Sequence, residues 1–204
     1  MESIINKIKF GKNQEFDFVE NLENREYVAR LLVSFANSIG GELLIGAKAN
    51  GKLIGCFPKL IKENIGSVLN EFGIQSLEFV LDEIKVGRHV LILLTIAKAK
   101  EKQKIVKKNK TVYYSRINCC IVVANKILLK KWKWEIENQT FLKDKHRDDI
   151  LKIFIPNEKI TLSYIYKVSN LNKSAIDRLV SELLYLNQIE LFCIKDQVFY
   201  RLVK

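Results

Sequence analysis

The sequence has few of the residues from which metal sites, catalytic triads and disulfide frameworks are built. It contains two histidines, His89 and His146, so neither a multi-histidine metal site nor a histidine-based triad is expected. Its four cysteines show no C-x-x-C spacing, which favours small side chains in a reducing compartment over disulfides. Neither a complete G-x-x-x-x-G-K-[ST] loop nor a G-x-G-x-x-G motif is present, and we expect no cofactor.

Long apolar runs and prolines are also scarce. The longest apolar run, residues 90–97, is far shorter than the roughly 18 residues that a membrane span needs. No signal-peptide pattern opens the chain, so we expect a cytoplasmic protein that does not enter a membrane. Two prolines in 204 residues and a hydrophobic content of 48% are typical of a folded chain with one large or two small domains.

Acidic residues are nearly missing from one stretch, which we call the basic segment, residues 98–133. It contains eleven lysines and one arginine against the single acid Glu101, a formal charge of +11 that equals the net charge of the whole chain. A cationic surface attracts polyanions and gains free energy by releasing their counterions. Nucleic acid is therefore the first partner to consider, and a solvated lysine-rich loop is the alternative.

The first half of the chain alternates between helical and extended patterns. Apolar residues at three- and four-residue steps predict helices over residues 22–39 and 59–72. Gly40 and Gly41 suit a helix end that turns at once into a strand over residues 42–47. An Asn-Gly turn, a returning strand at residues 53–56 and two further strands at residues 77–84 and 89–97 complete the pattern. This order predicts an α+β domain with a mixed or antiparallel sheet covered by helices on one face.

The pattern changes near residue 142. Three short amphipathic helices are predicted over residues 147–155, 161–168 and 172–186, followed by a hairpin over residues 189–194 and 198–203. Three helices and a β-hairpin in this order indicate a small winged helix-turn-helix. We therefore predict a first domain over residues 1–129, a connector over residues 130–141 and a winged-helix domain over residues 142–204.

Three stretches resemble a known family. Glu15-Phe16, the run LLVSFANSIGGELLIGAKANGKLIGC and the later VYYSR are similar to the Schlafen-like AlbA-type domain over roughly residues 10–125. That domain occurs in bacterial regulators with a C-terminal helix-turn-helix, so the resemblance implies a platform for nucleic acid and a bacterial origin.

Nuclease-active Schlafen relatives use three carboxylates to bind a divalent metal. Two belong to an E-x-x-x-x-E-F-K type motif and one to a G-V-D-D type sequence after the glycine pair. Here Glu15 matches the second glutamate, no acid occurs between Ser3 and Gln14, and residues 46–49 read Gly-Ala-Lys-Ala. The motif lysine is replaced by Asp17. Because one carboxylate binds Mg²⁺ poorly, we expect neither a metal site nor catalytic residues.

The basic segment contains the candidate phosphate contacts of the first domain. A strand and loop rich in cations present several of them to successive phosphates, and Arg116 matches the arginine of the family's Y-Y-x-R segment. Tyr113 and Tyr114 point to opposite faces of a strand, so one packs in the core while the other, for which we choose Tyr114, is available to stack. The predicted set is Lys104, Lys107, Lys108, Lys110, Tyr114 and Arg116.

The third helix of the second domain resembles a recognition helix, with Asn172 as its N-cap. Lys173, Ser174 and Arg178 occupy its opening turns on the polar face, where base edges are read. Lys173 is assigned to a phosphate and Arg178 to a guanine. The alternative is a protein-interaction or dimerisation module, because eleven basic and eight acidic residues give residues 141–204 only +3.

These features predict a DNA-binding transcriptional regulator without catalytic activity, with DNA favoured over RNA as the partner. One alternative is a Schlafen-type endoribonuclease with a rearranged site. Another is a non-catalytic assembly factor whose basic segment contacts an acidic protein. The pattern leaves open whether the protein forms a homo-oligomer.

Overall fold

A computed structural model describes residues 2–108, 110–142 and 144–203. The chain divides into two compact units, Met1–Val123 and Ala124–Lys204. We call them unit 1 and unit 2. No helix in these described ranges is long and apolar enough to cross a bilayer.

Unit 1 alternates helices and strands. Its elements are α1 (Glu2–Phe10), β1 (Phe16–Val19), α2 (Arg25–Asn37), β2 (Gly41–Ile45), α3 (Pro58–Glu71), β3 (Phe79–Val86), β4 (His89–Ile96), β5 (Ile105–Lys107), β6 (Lys110–Val112), β7 (Tyr114–Ile117) and β8 (Cys120–Val123). Four strands form a sheet in the order β1-β2-β4-β3, and β5 with β6 and β7 with β8 form two hairpins. β1 runs parallel to β2, whereas β4 is antiparallel to both β2 and β3. The predicted α+β class with a mixed sheet is confirmed.

Helices cover both faces of this sheet. Successive residues of β2 point to opposite faces, so Leu43 and Ile45 pack with the core formed by α2 and α3. Leu44 packs on the other side, against Ile4 and Ile8 of α1. The sequence pattern predicted helices on one face only, because α1 was not recognised as a helix.

The junction between α2 and β2 explains the glycine pair. Asn24 caps the start of α2 by accepting a hydrogen bond from the amide of Tyr27. At the other end Gly40 has a φ of +87°, and a Cβ there would lie 2.7 Å from the carbonyl oxygen of Ile96. Only glycine fits this left-handed position against the backbone of β4.

Unit 2 contains four helices and one hairpin among its described residues. Its elements are α4 (Lys126–Glu137), α5 (Lys145–Phe154), α6 (Leu162–Val168), α7 (Lys173–Tyr185), β9 (Ile189–Ile194) and β10 (Gln197–Leu202). α5, α6, α7 and β9 share one core around Phe154, Ile165, Leu179 and Ile189. β9 and β10 pair antiparallel, as the hairpin pattern predicted.

α4 lies along α7 within unit 2. Near the helix starts, Lys126 forms an ion pair with Asp177. Near their ends, Phe141 contacts the ring of Trp134 at 4.9 Å and that of Tyr185 at 5.4 Å, measured between ring centroids. The connector predicted over residues 130–141 therefore falls mainly on α4, and the unit boundary lies before residue 124 rather than after residue 129.

Candidate nucleic-acid interface

Within unit 1 the basic segment begins with a loop that leads into the β5-β6 hairpin, and we call residues 98–110 the lysine loop. Asn37, at the end of α2, fixes it to the core. Its side-chain amide donates to the carbonyl oxygens of Gln103 at 2.7 Å and Tyr114 at 2.8 Å, while its oxygen accepts from the Gln103 amide at 2.6 Å. The Ala99 amide also donates to the carbonyl oxygen of Ala36 at 2.8 Å. The loop is thus held to a buried helix rather than lying loose in solvent.

Most lysines of this loop point outward. The exposed ones are Lys98, Lys100, Lys104, Lys107, Lys108 and Lys110. Lys102 is the half-buried exception, and its ammonium group donates to the carbonyl oxygen of Asn37 at 2.9 Å. Lys104, Lys108 and Lys110, three of the predicted phosphate contacts, are therefore exposed on this loop.

Lys107 is exposed but already has partners. Its ammonium group lies 2.6 Å from Glu26 and 5.1 Å from the centroid of the Phe72 ring. The hydrogen bond from Lys107, together with the charges of Arg30 and Lys107, lowers the pKa of Glu26, so this carboxylate stays ionised. A phosphate would have to compete with Glu26 for Lys107.

Arg116 is buried, which contradicts its assignment as a phosphate contact. Its guanidinium group lies 2.9 Å from the buried carboxylate of Asp17, donates to the Asn13 carbonyl at 2.8 Å and stacks 4.5 Å from the Phe35 ring centroid. Lys12 closes the pair from the solvent side, 2.6 Å from Asp17. The arginine therefore joins β7 to β1 and is inaccessible to a phosphate.

Tyr114 is also buried, so the choice of this tyrosine as the stacking residue is corrected. It packs in the core beside α2, and the guanidinium carbon of Arg30 lies 5.4 Å from its ring centroid. All four residues of β7 are buried, because the strand is covered on both faces. The alternation rule assumes one solvent face, and that condition does not hold here.

The positions that correspond to the three Schlafen nuclease acids do not provide the ligands of a complete metal site. Glu15 is exposed at a cavity of about 320 Å³ that Glu42 also lines, and Glu42 forms an ion pair with Lys7. Lys48, at the G-V-D-D position, lies 3.7 Å from Glu20. Among the residues that the structure describes, no three histidine, cysteine or acidic side chains are placed to hold a metal ion.

In unit 2 the first turn of α7 is accessible. Asn172 caps the helix by accepting from the Ala175 amide at 2.9 Å, as predicted, and Lys173 and Ser174 are exposed. Arg178 is exposed too, but it lies 2.8 Å from Asp144 and 3.2 Å from Glu182. A base contact by Arg178 would require this side chain to leave both carboxylates.

The rest of α7 is covered. Eight of its 13 residues are buried, including Ser181, whose hydroxyl donates to the Asp177 carbonyl oxygen at 2.7 Å. A recognition helix needs an open face to enter the major groove. Here only the first turn, Arg178 and the half-buried Tyr185 keep access to solvent on the polar side.

Sequence reasoning missed two residues that position the interface, Asn37 and Asp17. A signal existed for Asn37, since it is a polar residue beside the buried stripe of a strongly apolar helix. Asp17 also interrupts an apolar strand, and such a buried acid needs a cationic partner. That partner, Arg116, lies 99 positions away in the sequence, so no local pattern could identify it.

Comparison with known proteins agrees with the resemblance noted in the sequence. The family model described as Schlafen, AlbA_2 matches residues 12–125, more than half of the chain. A crystal structure of the DIP2311 protein from Corynebacterium diphtheriae matches at 14% identity with a TM-score of 0.45, covering 78% of this chain and 35% of that one. The match thus spans about a third of that protein's length, and none of the curated proteins that were compared matches. The chain belongs to the Schlafen AlbA_2 family, and this membership supports nucleic-acid binding.

Proposed function

We propose that the protein is a non-catalytic nucleic-acid-binding protein that contacts phosphates through the lysine loop. The observation that supports this most is the set of exposed lysines on a loop that Asn37 ties to the core. Glu101 is the single acid in residues 98–110, so the surface is cationic along its length. Family membership supports the same partner, and the incomplete set of acids around Glu15 gives the endoribonuclease alternative no support.

Phosphate contacts are recognised by their dependence on salt. Each phosphate that a protein neutralises on duplex DNA adds about 0.9 to the slope of log affinity against log salt concentration. Such contacts do not distinguish sequences, because every base pair has the same backbone charge.

Replacing Lys104, Lys108 and Lys110 together by Gln should lower this slope by about 2 to 3 and weaken binding to all duplex sequences alike. The measurement is equilibrium binding to random duplex DNA across a salt series. Lys52, Lys59 and Lys85, which are also exposed in unit 1, provide a matched control when changed to Gln together. An unchanged slope in the first variant, or an equal loss in the control, would contradict the role of the lysine loop.

A DNA-binding regulator is the more specific form of this proposal. The order α5, α6, α7 and the β9-β10 hairpin, with Lys173 and Ser174 exposed on the first turn of α7, favours it. We expect selection from a random duplex library to enrich a sequence, Arg178→Ala to cost roughly 1 to 3 kcal/mol on that sequence, and Lys173→Ala to weaken all sequences equally. Without an enriched sequence, the protein-interaction module takes the place of the DNA reader.

A further inference from the structure

Unit 2 contains lysines that lean on aromatic rings near its surface. The ammonium groups of Lys126 and Lys173 each lie 5.7 Å from the centroid of the Tyr166 ring, although they belong to different helices. Further along α4, the ammonium group of Lys130 lies 5.8 Å from the Trp134 ring. Both rings are half-buried, so part of each remains accessible. Each of these partly accessible rings therefore has at least one lysine ammonium group beside it.

The helical geometry of α4 places these groups in a line. Lys126, Lys130 and Trp134 follow at four-residue steps, which keeps them on one side of the helix over about 12 Å. The opposite side contains Leu128 and Trp132, which are both buried. We call the five residues Lys126, Lys130, Trp134, Tyr166 and Lys173 the α4 track.

Asp177 holds two residues of the α4 track, Lys126 and Tyr166, in place. It is buried, accepts a hydrogen bond from the Tyr166 hydroxyl and forms an ion pair with Lys126. The hydrogen bond to Asp177 raises the pKa of Lys126, so the ammonium group stays charged. The side chain of Lys126 is 61% exposed while that of Asp177 is 10% exposed, and the positive group therefore faces solvent.

We infer that the α4 track binds single-stranded nucleic acid. The inference rests on the proposed function and assigns a second contact, in unit 2, to the same class of ligand. In a single strand the bases are free to stack on tyrosine and tryptophan rings while lysines neutralise the phosphates between them. Bases in a duplex already stack on one another, so their faces are less available to these rings.

The first test compares a single-stranded oligothymidine with a hairpin duplex, each bound to the full chain across a salt series. Replacing Lys126, Lys130 and Lys173 together by Gln should lower the slope for the single strand by about 2. Lys131, Lys133 and Lys152 lie outside the α4 track, and their joint change to Gln is a control because it removes the same number of charges from unit 2. Equal losses in both variants, or no loss in the first, would overturn the assignment.

The second test uses the aromatic rings. Tyr166→Ala should weaken oligothymidine binding by roughly 5- to 150-fold, whereas Tyr166→Phe keeps the ring and should bind nearly as wild type. Oligothymidine should also quench tryptophan emission, and Trp134→Phe, which leaves only the buried Trp132, should abolish the quench. A quench that survives in Trp134→Phe would exclude stacking at this position.

These outcomes separate the α4 track from the proposed function. If the wild-type protein binds no nucleic acid, both the proposed function and the α4-track inference are contradicted. If the lysine-loop variant loses salt dependence while the α4-track variant binds as wild type, only the inference fails. A duplex that competes with oligothymidine as effectively as a second single strand would show that the track does not select single strands.

Discussion

Replacing Arg116 by Met should reduce the free energy of unfolding of unit 1 by about 3 to 5 kcal/mol. The change removes one partner of a buried ion pair and leaves the buried Asp17 carboxylate with Lys12 as its remaining cationic partner. It also removes the hydrogen bond to the Asn13 carbonyl and the stacking on Phe35. Because Arg116 is inaccessible, the salt dependence of nucleic-acid binding by the folded variant should not change.

Chemical denaturation followed by far-ultraviolet circular dichroism measures this loss. Both tryptophans of the chain lie on α4, so tryptophan emission reports on unit 2 and shows whether the loss is confined to unit 1. The double variant Asp17→Asn with Arg116→Met should recover part of the stability, since it removes the unpaired charge. A single Arg116→Met variant within 1 kcal/mol of wild type would show that the pair contributes little.

The second large effect is expected in unit 2, where Glu182→Ala should cost about 3 kcal/mol. Glu182 is buried and lies 2.6 Å from Arg147 and 3.2 Å from Arg178. Its removal leaves two guanidinium groups without their shared carboxylate, and Arg178 keeps only Asp144. Glu182→Gln should cost less, because the amide still accepts hydrogen bonds. The midpoint of denaturation followed by tryptophan emission is the measurement.

The pH dependence of this effect has a defined sign. Burial raises the pKa of Glu182 above its ordinary 4.5, which the charges of Arg147 and Arg178 only partly oppose. The folded state therefore binds this proton more tightly than the unfolded chain does, and this contribution to stability is lost as the pH rises through the raised pKa. Glu182→Gln should lack this decline relative to wild type. Asp144 affects stability in a different pH range. The hydrogen bond from Arg178 lowers its pKa, so its contribution to stability is lost as the pH falls through that lowered pKa.

Periodic elements of the fold could be predicted from the sequence because their surroundings follow simple rules. α2, α3 and α7 each have one apolar stripe against a core, and their observed ends lie within a few residues of the predicted ones. The β9 strand matches residues 189–194 because a two-residue turn with Lys195 and Asp196 at positive φ sets its register.

Elements without a clear period were missed. β1 has four residues and the charged Asp17 at its second position, so it does not read as an apolar strand. α4 was interpreted as a connector because its lysines and tryptophans obscure the stripe formed by Ile127, Leu128 and Trp132. The Asn125 cap, which accepts from the amides of Ile127 and Leu128, was the signal that could have found this helix.

The candidate site divides in the same way. Exposed lysines on a loop follow from composition, because charged side chains are rarely buried without partners. Arg116 and Tyr114 were placed wrongly because their burial depends on contacts with β1 and α2, which are distant in sequence. Local sequence patterns therefore predicted the charged surface but did not identify which of the predicted residues are buried in the core.

The contacts between β7 and the segment that precedes β1 also affect how unit 1 folds during synthesis on the ribosome. The Gln14 side chain donates to the Arg116 carbonyl at 2.9 Å and accepts from the Asn118 amide at 2.6 Å, contacts that join positions 102 and 104 residues apart. The edge strand β1 emerges before these partners, which become available only after residue 118 has left the exit tunnel. Until then its Asp17 lacks Arg116, and the nascent chain exposes apolar surface that chaperones or neighbouring chains can bind. Unit 1 should therefore complete its folding only after residue 118 has emerged, rather than strand by strand as the chain appears.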